Sequence, residues 1–89
     1  MEPVRAAFVV YSRGYCHLCD ELVAELQAVL AAWPHAAVFA VDVVDVDADE
    51  QLEGRYGERV PVLEFEGREL CHFRLDAENV RDVAMAASG

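Results

Sequence analysis

Two cysteines, Cys16 and Cys19, stand three positions apart in the run Ser12-Arg13-Gly14-Tyr15-Cys16-His17-Leu18-Cys19-Asp20. A thiolate is a good nucleophile and a thiol a poor one, so such a pair does chemistry only where one sulfur ionises readily. Turn chemistry before Cys16 and helical periodicity after it put Cys16 at a helix start. Unpaired amides and the helix dipole favour negative charge there. Arg13 can add positive charge nearby. Cysteines in such settings drop from about 8.5 into a range of roughly 3.5 to 7.5, so Cys16 is expected to be partly or mostly ionised at neutral pH. Asp20 and Glu21 oppose this, but as exposed residues they are screened by solvent. Cys19 falls about one turn further in, on nearly the same face, and is expected to be more buried. The asymmetry assigns roles: Cys16 attacks a disulfide, and Cys19 then resolves the mixed disulfide. Two buried cysteines could instead act as small hydrophobes. The position between a strand and a helix favours the redox reading.

The elements that must hold this pair can be read from apolar periodicity. Ala6-Ala7-Phe8-Val9-Val10-Tyr11 is a continuous apolar run with branched and aromatic residues, which predicts a buried strand. The helix is expected from Cys16 to Trp33, with Leu22, Leu26, Val29 and Trp33 on one face and Pro34 as its stop. Ala37 to Val41 predicts a second strand, so strand, helix and strand form a βαβ unit. A short helix opens at Asp47 and ends near Tyr56-Gly57, with Gly57 as its C-cap. Val62-Leu63-Glu64-Phe65 and Arg68-Glu69-Leu70-Cys71 flank Glu66-Gly67, a two-residue hairpin signal. Asp76 reads as the N-cap of a last helix with Val80, Val83, Ala84 and Ala87 on its apolar face. The expected fold class is α/β, in the order β-α-β-α-β-β-α, with a mixed four-stranded sheet and helices on both sides.

Strand, Ser-Arg-Gly-Tyr-Cys16-His-Leu-Cys19-Asp-Glu and helix together resemble the opening of the glutaredoxin-like branch of the thioredoxin superfamily. The likeness in element order covers essentially the whole chain. Cys-His-Leu-Cys-Asp, the stretch Val43 to Asp49, and Arg55-Tyr56-Gly57 through Val60-Pro61-Val62 resemble short bacterial glutaredoxin-like proteins in particular. The resemblance implies a three-layer α/β/α thioredoxin-like fold. It also implies a cis peptide bond before Pro61, facing the dithiol, with Val60 offering backbone hydrogen bonds to substrate. The residues alone would leave Pro61 an ordinary trans proline starting a strand.

The chain departs from typical glutaredoxins at two places. His17 and Leu18 stand where Pro and Tyr are usual, and the intervening residues tune the potential. The Gly-Gly pair that grips glutathione is absent, and the corresponding region reads Cys71-His72-Phe73-Arg74-Leu75-Asp76. No cofactor is required, and the missing glycines argue against glutathione. Arg13 and Arg59 could hold its carboxylates, or are plain surface charges. His17 either stabilises the Cys16 thiolate as an imidazolium or is an exposed neutral ring.

The remaining features bound the class. The chain has 89 residues, which is enough for one domain spanning 1–89. Its 17 acidic and 7 basic residues give a net charge of -10, which disfavours nucleic acid and anionic membranes. No uncharged apolar run reaches the length of a membrane span. Met1 to Arg5 lacks the basic-then-apolar pattern of a secretory signal, so a soluble, cytoplasmic protein is expected; a monomer is expected as well. Three cysteines are too few for a disulfide scaffold. Cys71 and His72 could join Cys16 and Cys19 around zinc, but neighbours on a strand point to opposite faces. Cys71 is better read as a buried strand residue, and no residue is assigned to a metal. Asp42, Asp45, Asp47, Asp49, Glu50 and Glu53 lack calcium-loop spacing and read as a solvated loop and helix face. The function expected is thiol-disulfide exchange on a disulfide-containing protein or a small thiol substrate. The rival is a non-enzymatic adaptor, or a zinc or iron–sulfur module, using the same cysteines.

Overall fold

The sequence pattern leads to one four-stranded sheet in the order β2-β1-β3-β4. A computed structural model describes residues 6–32 and 39–88. The elements are β1 (Ala6–Ser12), α1 (His17–Ala31), β2 (Phe39–Asp45), α2 (Glu50–Tyr56), β3 (Val62–Phe65), β4 (Arg68–His72) and α3 (Ala77–Ser88). A single 3-10 turn, Val46–Ala48, joins β2 to α2. β1 pairs with β2 in parallel and with β3 antiparallel, and β4 is antiparallel to β3. β1, β2 and β4 therefore end, and β3 begins, at the same end of the sheet. Cys16 follows β1 directly and so lies at that end. Among the described residues, no helix is long and apolar enough to cross a membrane.

The two faces of the sheet carry different cores. On one face Phe8 and Val10 of β1 and Leu63 and Phe65 of β3 meet Leu22, Leu26 and Leu30 of α1 and Val80, Val83 and Ala84 of α3. The Phe8 and Phe65 rings lie 4.7 Å apart and tilted, a favourable aromatic geometry. On the other face a smaller cluster joins Val46, Tyr56 and Val62, with Tyr11, Leu52 and Val60 packed against it. The Tyr11 and Tyr56 rings stack at 4.0 Å. Beneath them sits the buried carboxyl of Glu64, which accepts a 2.7 Å hydrogen bond from the Tyr56 hydroxyl. Burial, together with that bond, pushes the Tyr56 phenol well above its ordinary range.

Several boundaries differ from the sequence expectation, each for a physical reason. α1 spans His17–Ala31; Cys16 is its cap, with extended backbone angles, and is outside the helix proper. Trp33, Pro34, Ala37 and Val38 lie outside the described residues. The buried stripe of α1 runs Cys19, Leu22, Leu26, Leu30, while Val29 is only half-buried. Steps of three, four and four residues keep the 3.6-residue repeat on one face, and Val29 falls to its side. β2 continues to Asp45, well past Val41, because each added residue finds a parallel partner on β1, up to Ser12↔Asp45. Its aspartates tolerate a strand because β2 is an edge and Asp42 and Asp45 are exposed. Ala87, expected on the apolar face of α3, is exposed.

Two local devices match expectation. Glu66 and Gly67 both have positive φ, at 52° and 83°, the conformation a tight primed hairpin turn needs. Asp76 Oδ1 accepts from the Asn79 amide at 3.1 Å and caps α3. The buried Tyr56–Glu64 bond was not legible, and it yields a stability test. Tyr56→Phe leaves the Glu64 carboxyl buried without its donor, which should cost about 1–3 kcal/mol in a urea denaturation series. An unchanged midpoint would show that Glu64 finds another partner.

Candidate dithiol site

Ser12 ends β1, and the chain turns through Arg13, Gly14 and Tyr15 into Cys16. Tyr15 has φ 60°, in the left-handed region that bulky residues seldom occupy. Cys16 then adopts φ -113° and ψ 106°, and its Sγ accepts a hydrogen bond from the Cys19 amide at 3.2 Å. A cysteine thus does the work that Ser or Asp usually does at an N-cap, satisfying an amide the helix cannot. Cys16 is half-buried and Cys19 is 2% exposed. All three cysteines are free.

Burial separates the two thiols chemically. It is the main cause that pushes Cys19 up to about 11, aided by its contact with Cys16 and by the charge of Asp20. The backbone amide of Arg13 acts in the opposite sense. Cys71 on β4 is also pushed up, chiefly by burial. His17 is exposed in the first turn of α1.

The basic residues near the site are held by carboxylates. Arg13 Nη2 lies 3.2 Å from Asp47 Oδ1 and 3.4 Å from Glu53 Oε1. The Arg13 guanidinium, expected to add positive charge near the thiolate, ties the loop before Cys16 to the 3-10 turn and α2. The acidic run is therefore more than a solvated face, since two of its members hold this loop. Gly57 leaves room for the contact: a Cβ there would meet the Glu53 carbonyl at 2.5 Å and Arg13 Nη2 at 3.0 Å. Gly57 caps α2 as expected, but with φ -53°, so space rather than a left-handed turn requires glycine.

On the far side of the site, Val60-Pro61 is a cis peptide, and Pro61 is fully buried immediately before β3. The Arg59 amide donates to the Tyr56 carbonyl at 2.8 Å. The Arg59 guanidinium pairs with Glu69 of β4 and lies 5.8 Å from the Tyr56 ring centre. The Arg59 hydrogen bond, reinforced by His72, holds the Glu69 carboxyl below its usual range. The Pro61 carbonyl accepts from the Phe73 amide at 2.8 Å. Both ends of the Arg59–Pro61 segment are thus fastened, the first through Glu69 and the second at Phe73. Phe73 also has positive φ, at 66°, and packs edge-on against the His72 ring.

The structure thus brings Cys16 and Cys19 together and sets Val60-Pro61 at the same end of the sheet. Among the described residues, no three His, Cys, Asp or Glu side chains converge as metal ligands. Tyr15, Phe73 and Glu69 carry no signal in the sequence; Arg59 and His72, read from it as a possible carboxylate binder and a possible metal ligand, are both joined to Glu69.

Two outcomes test this geometry. Brief iodoacetamide treatment at pH 7.5 should label Cys16, because Cys19 ionises only as the pH nears 11. Peptide mapping reads the position, and first labelling at Cys19 would reverse the assignment. Helix propensity alone would make Gly57→Ala stabilising by roughly 1 kcal/mol. Its contact with the Glu53 carbonyl should turn the sign, destabilising by about 1–3 kcal/mol in the same denaturation assay.

Comparison with known proteins agrees with this architecture. Residues 8–83 match the model of the family described as Glutaredoxin-like domain (DUF836). The chain is similar to the solution structure of protein Ne2328 from Nitrosomonas europaea, with TM-score 0.76 and 34% identity over 93% of this chain and 95% of that one. It is also similar to the X-ray structure of protein XcR50 from X. campestris, with TM-score 0.66 and 39% identity over 89% and 96% of the two chains. Fasciola hepatica thioredoxin shares the fold, with TM-score 0.57 at 18% identity over 93% of this chain and 81% of that one. A comparison with curated proteins finds no match. With the family model covering nearly all the described elements, the chain belongs to the glutaredoxin-like (DUF836) family of thioredoxin-fold domains.

Proposed function

We propose that this domain is a thiol-disulfide oxidoreductase in which Cys16 is the nucleophile and Cys19 the resolving thiol. The carrying observation is the asymmetry of the pair. Cys16 caps the helix with its sulfur on an amide, while Cys19 is buried one turn inside and pushed up to about 11. In the first step the Cys16 thiolate attacks one sulfur of a substrate disulfide. A Cys16–substrate bond forms, and the other substrate sulfur leaves as a thiolate with the electron pair. In the second step Cys19 loses its proton and attacks Cys16 Sγ. The Cys16–Cys19 disulfide forms, and the second substrate thiol departs. The substrate gains two electrons and two protons, and the protein dithiol is oxidised.

The causes that raise Cys19 change between the two steps. Two of them, the hydrogen bond with Cys16 and the charge of Cys16, belong to the free Cys16 sulfur. Once Cys16 is in a mixed disulfide, it carries no charge. Burial and the charge of Asp20 then remain against Cys19 ionisation, with the Arg13 amide favouring it. The first step thus removes part of what suppresses the second. Val60 and cis-Pro61 lie at the same end of the sheet, and in this reading the Val60 backbone aligns the incoming chain. Arg13 acts through the loop it holds.

Single-turnover reduction of a disulfide by the reduced protein tests the reading. Cys16→Ser should fall to background. Cys19→Ser should still complete the first step and accumulate a mixed disulfide, visible as a mass adduct on Cys16. Unchanged turnover in Cys16→Ser would remove the assignment, and so would stoichiometric zinc or iron held through Cys16 in protein purified under argon.

A further inference from the structure

Two large aromatic residues at the dithiol end are exposed where the hydrophobic effect would bury them. Tyr15, next to Cys16, is as exposed as a side chain can be, and Phe73 is 43% exposed. Both have left-handed backbone angles that cost an aromatic residue and would suit Gly or Asn. Neither exposure nor conformation contributes to stability, and non-glycine residues in this region cluster at binding sites. The fold sets Tyr15 next to Cys16 after β1, and Phe73 after β4, at the same end of the sheet, with β3 and cis-Pro61 between them. Two strand spacings put the ends of β1 and β4 roughly 10 Å apart, a gap that about three or four extended residues would span.

Charge narrows what fills the gap. Asp20, Asp45 and Asp76 are exposed at this end of the sheet, with one oxygen of Asp45 and one of Asp76 also accepting from a nearby backbone amide. Arg13 is held by Asp47 and Glu53, and Arg59 by Glu69. Arg74 also lies at this end and is exposed. Arg13 and Arg59 are thus already in ion pairs, so a small thiol compound with two carboxylates meets the exposed Asp20, Asp45 and Asp76 against the exposed Arg74. An extended chain with basic and apolar side chains meets carboxylates and two aromatic faces.

We propose that Tyr15 and Phe73 are the two walls of a seat for an extended, basic polypeptide segment carrying the disulfide that Cys16 attacks. The inference rests on the disulfide-exchange reading and adds the class of substrate. Tyr15 contacts the segment on the Cys16 side and Phe73 on the β4 side. The Phe73 amide bond to the Pro61 carbonyl keeps the second wall in register with the proline loop.

The test uses three probes, each a mixed disulfide with 5-thio-2-nitrobenzoate: a Lys- and Leu-rich decapeptide with one cysteine, its Glu-rich counterpart, and glutathione. Reduced full-length protein in excess supplies the electrons, and release of the coloured thiolate is followed by stopped flow. The basic peptide should react at least tenfold faster than glutathione and faster than the acidic peptide. In Tyr15→Ala/Phe73→Ala the peptide-to-glutathione rate ratio should fall at least fivefold; the ratio corrects for any general effect of the changes. A wild-type preference for glutathione, or a ratio the double variant leaves intact, overturns the proposal. If no probe reacts, the exchange reading fails, and the seat is then judged alone. Cys16→Ser protein is titrated with the basic peptide bearing Ser for Cys. Shifts of the Tyr15 and Phe73 ring resonances support the seat, and their absence overturns it.

Discussion

The hydrogen bond from the Cys19 amide to Cys16 Sγ fixes where the first helix begins, and the dithiol end depends on that point. Each residue of a helix turns about 100° from the last. A register one residue earlier or later would turn Cys19 out of the core by about 100°. The leucines would leave the sheet with it, so the packing of α1 on β1 and β3 enforces the cap from below. The turn enforces it from above, through the left-handed angle at Tyr15 and the anchoring of Arg13 on Asp47 and Glu53. One sulfur held at the helix boundary and another held in the core are two results of a single register.

The charge of the chain acquires a structure in the same way. A net charge of -10 reads as a uniform property of composition. In the fold, the arginines nearest the site are spent on internal anchoring. Arg13 ties the loop before Cys16 to α2, and Arg59 ties the loop before cis-Pro61 to β4. Each exposed pair contributes little to global stability. Their effect is local, because they fasten the loop before Cys16 and the loop before cis-Pro61, at the same end of the sheet. The acidic excess is what remains at the surface once these anchors are made.

What could be read from the sequence was local. The Glu66-Gly67 turn, the Asp76 cap and the strand–Cys-x-x-Cys–helix order depend on neighbours within a few residues, and each is present in the fold. What could not be read was nonlocal. Arg13 meets Glu53 across 40 residues, and nothing in the spacing marks that pairing. β2 runs on to Asp45 because of β1 alongside it, while its own residues look like a loop. The Tyr56–Glu64 bond needs the short α2 to sit on one face of β3. Tyr15 and Phe73 escape for another reason: a left-handed angle at a non-glycine residue leaves no trace in the residue type.

The edge strand β2 has a consequence for how the domain meets copies of itself. An uncovered strand is a template on which another chain can anneal, and a flat apolar edge invites it. Val43, 55% exposed, would be such an invitation on its own. It is bracketed by the exposed Asp42 and Asp45, and Asp45 also turns its carboxylate onto the Asp47 amide at 2.9 Å. A second β2 annealing here would bring like carboxylates together and strip water from them, at a cost backbone pairing must overcome. The aspartates that disguise β2 as a loop in the sequence are thus what closes the sheet on this side.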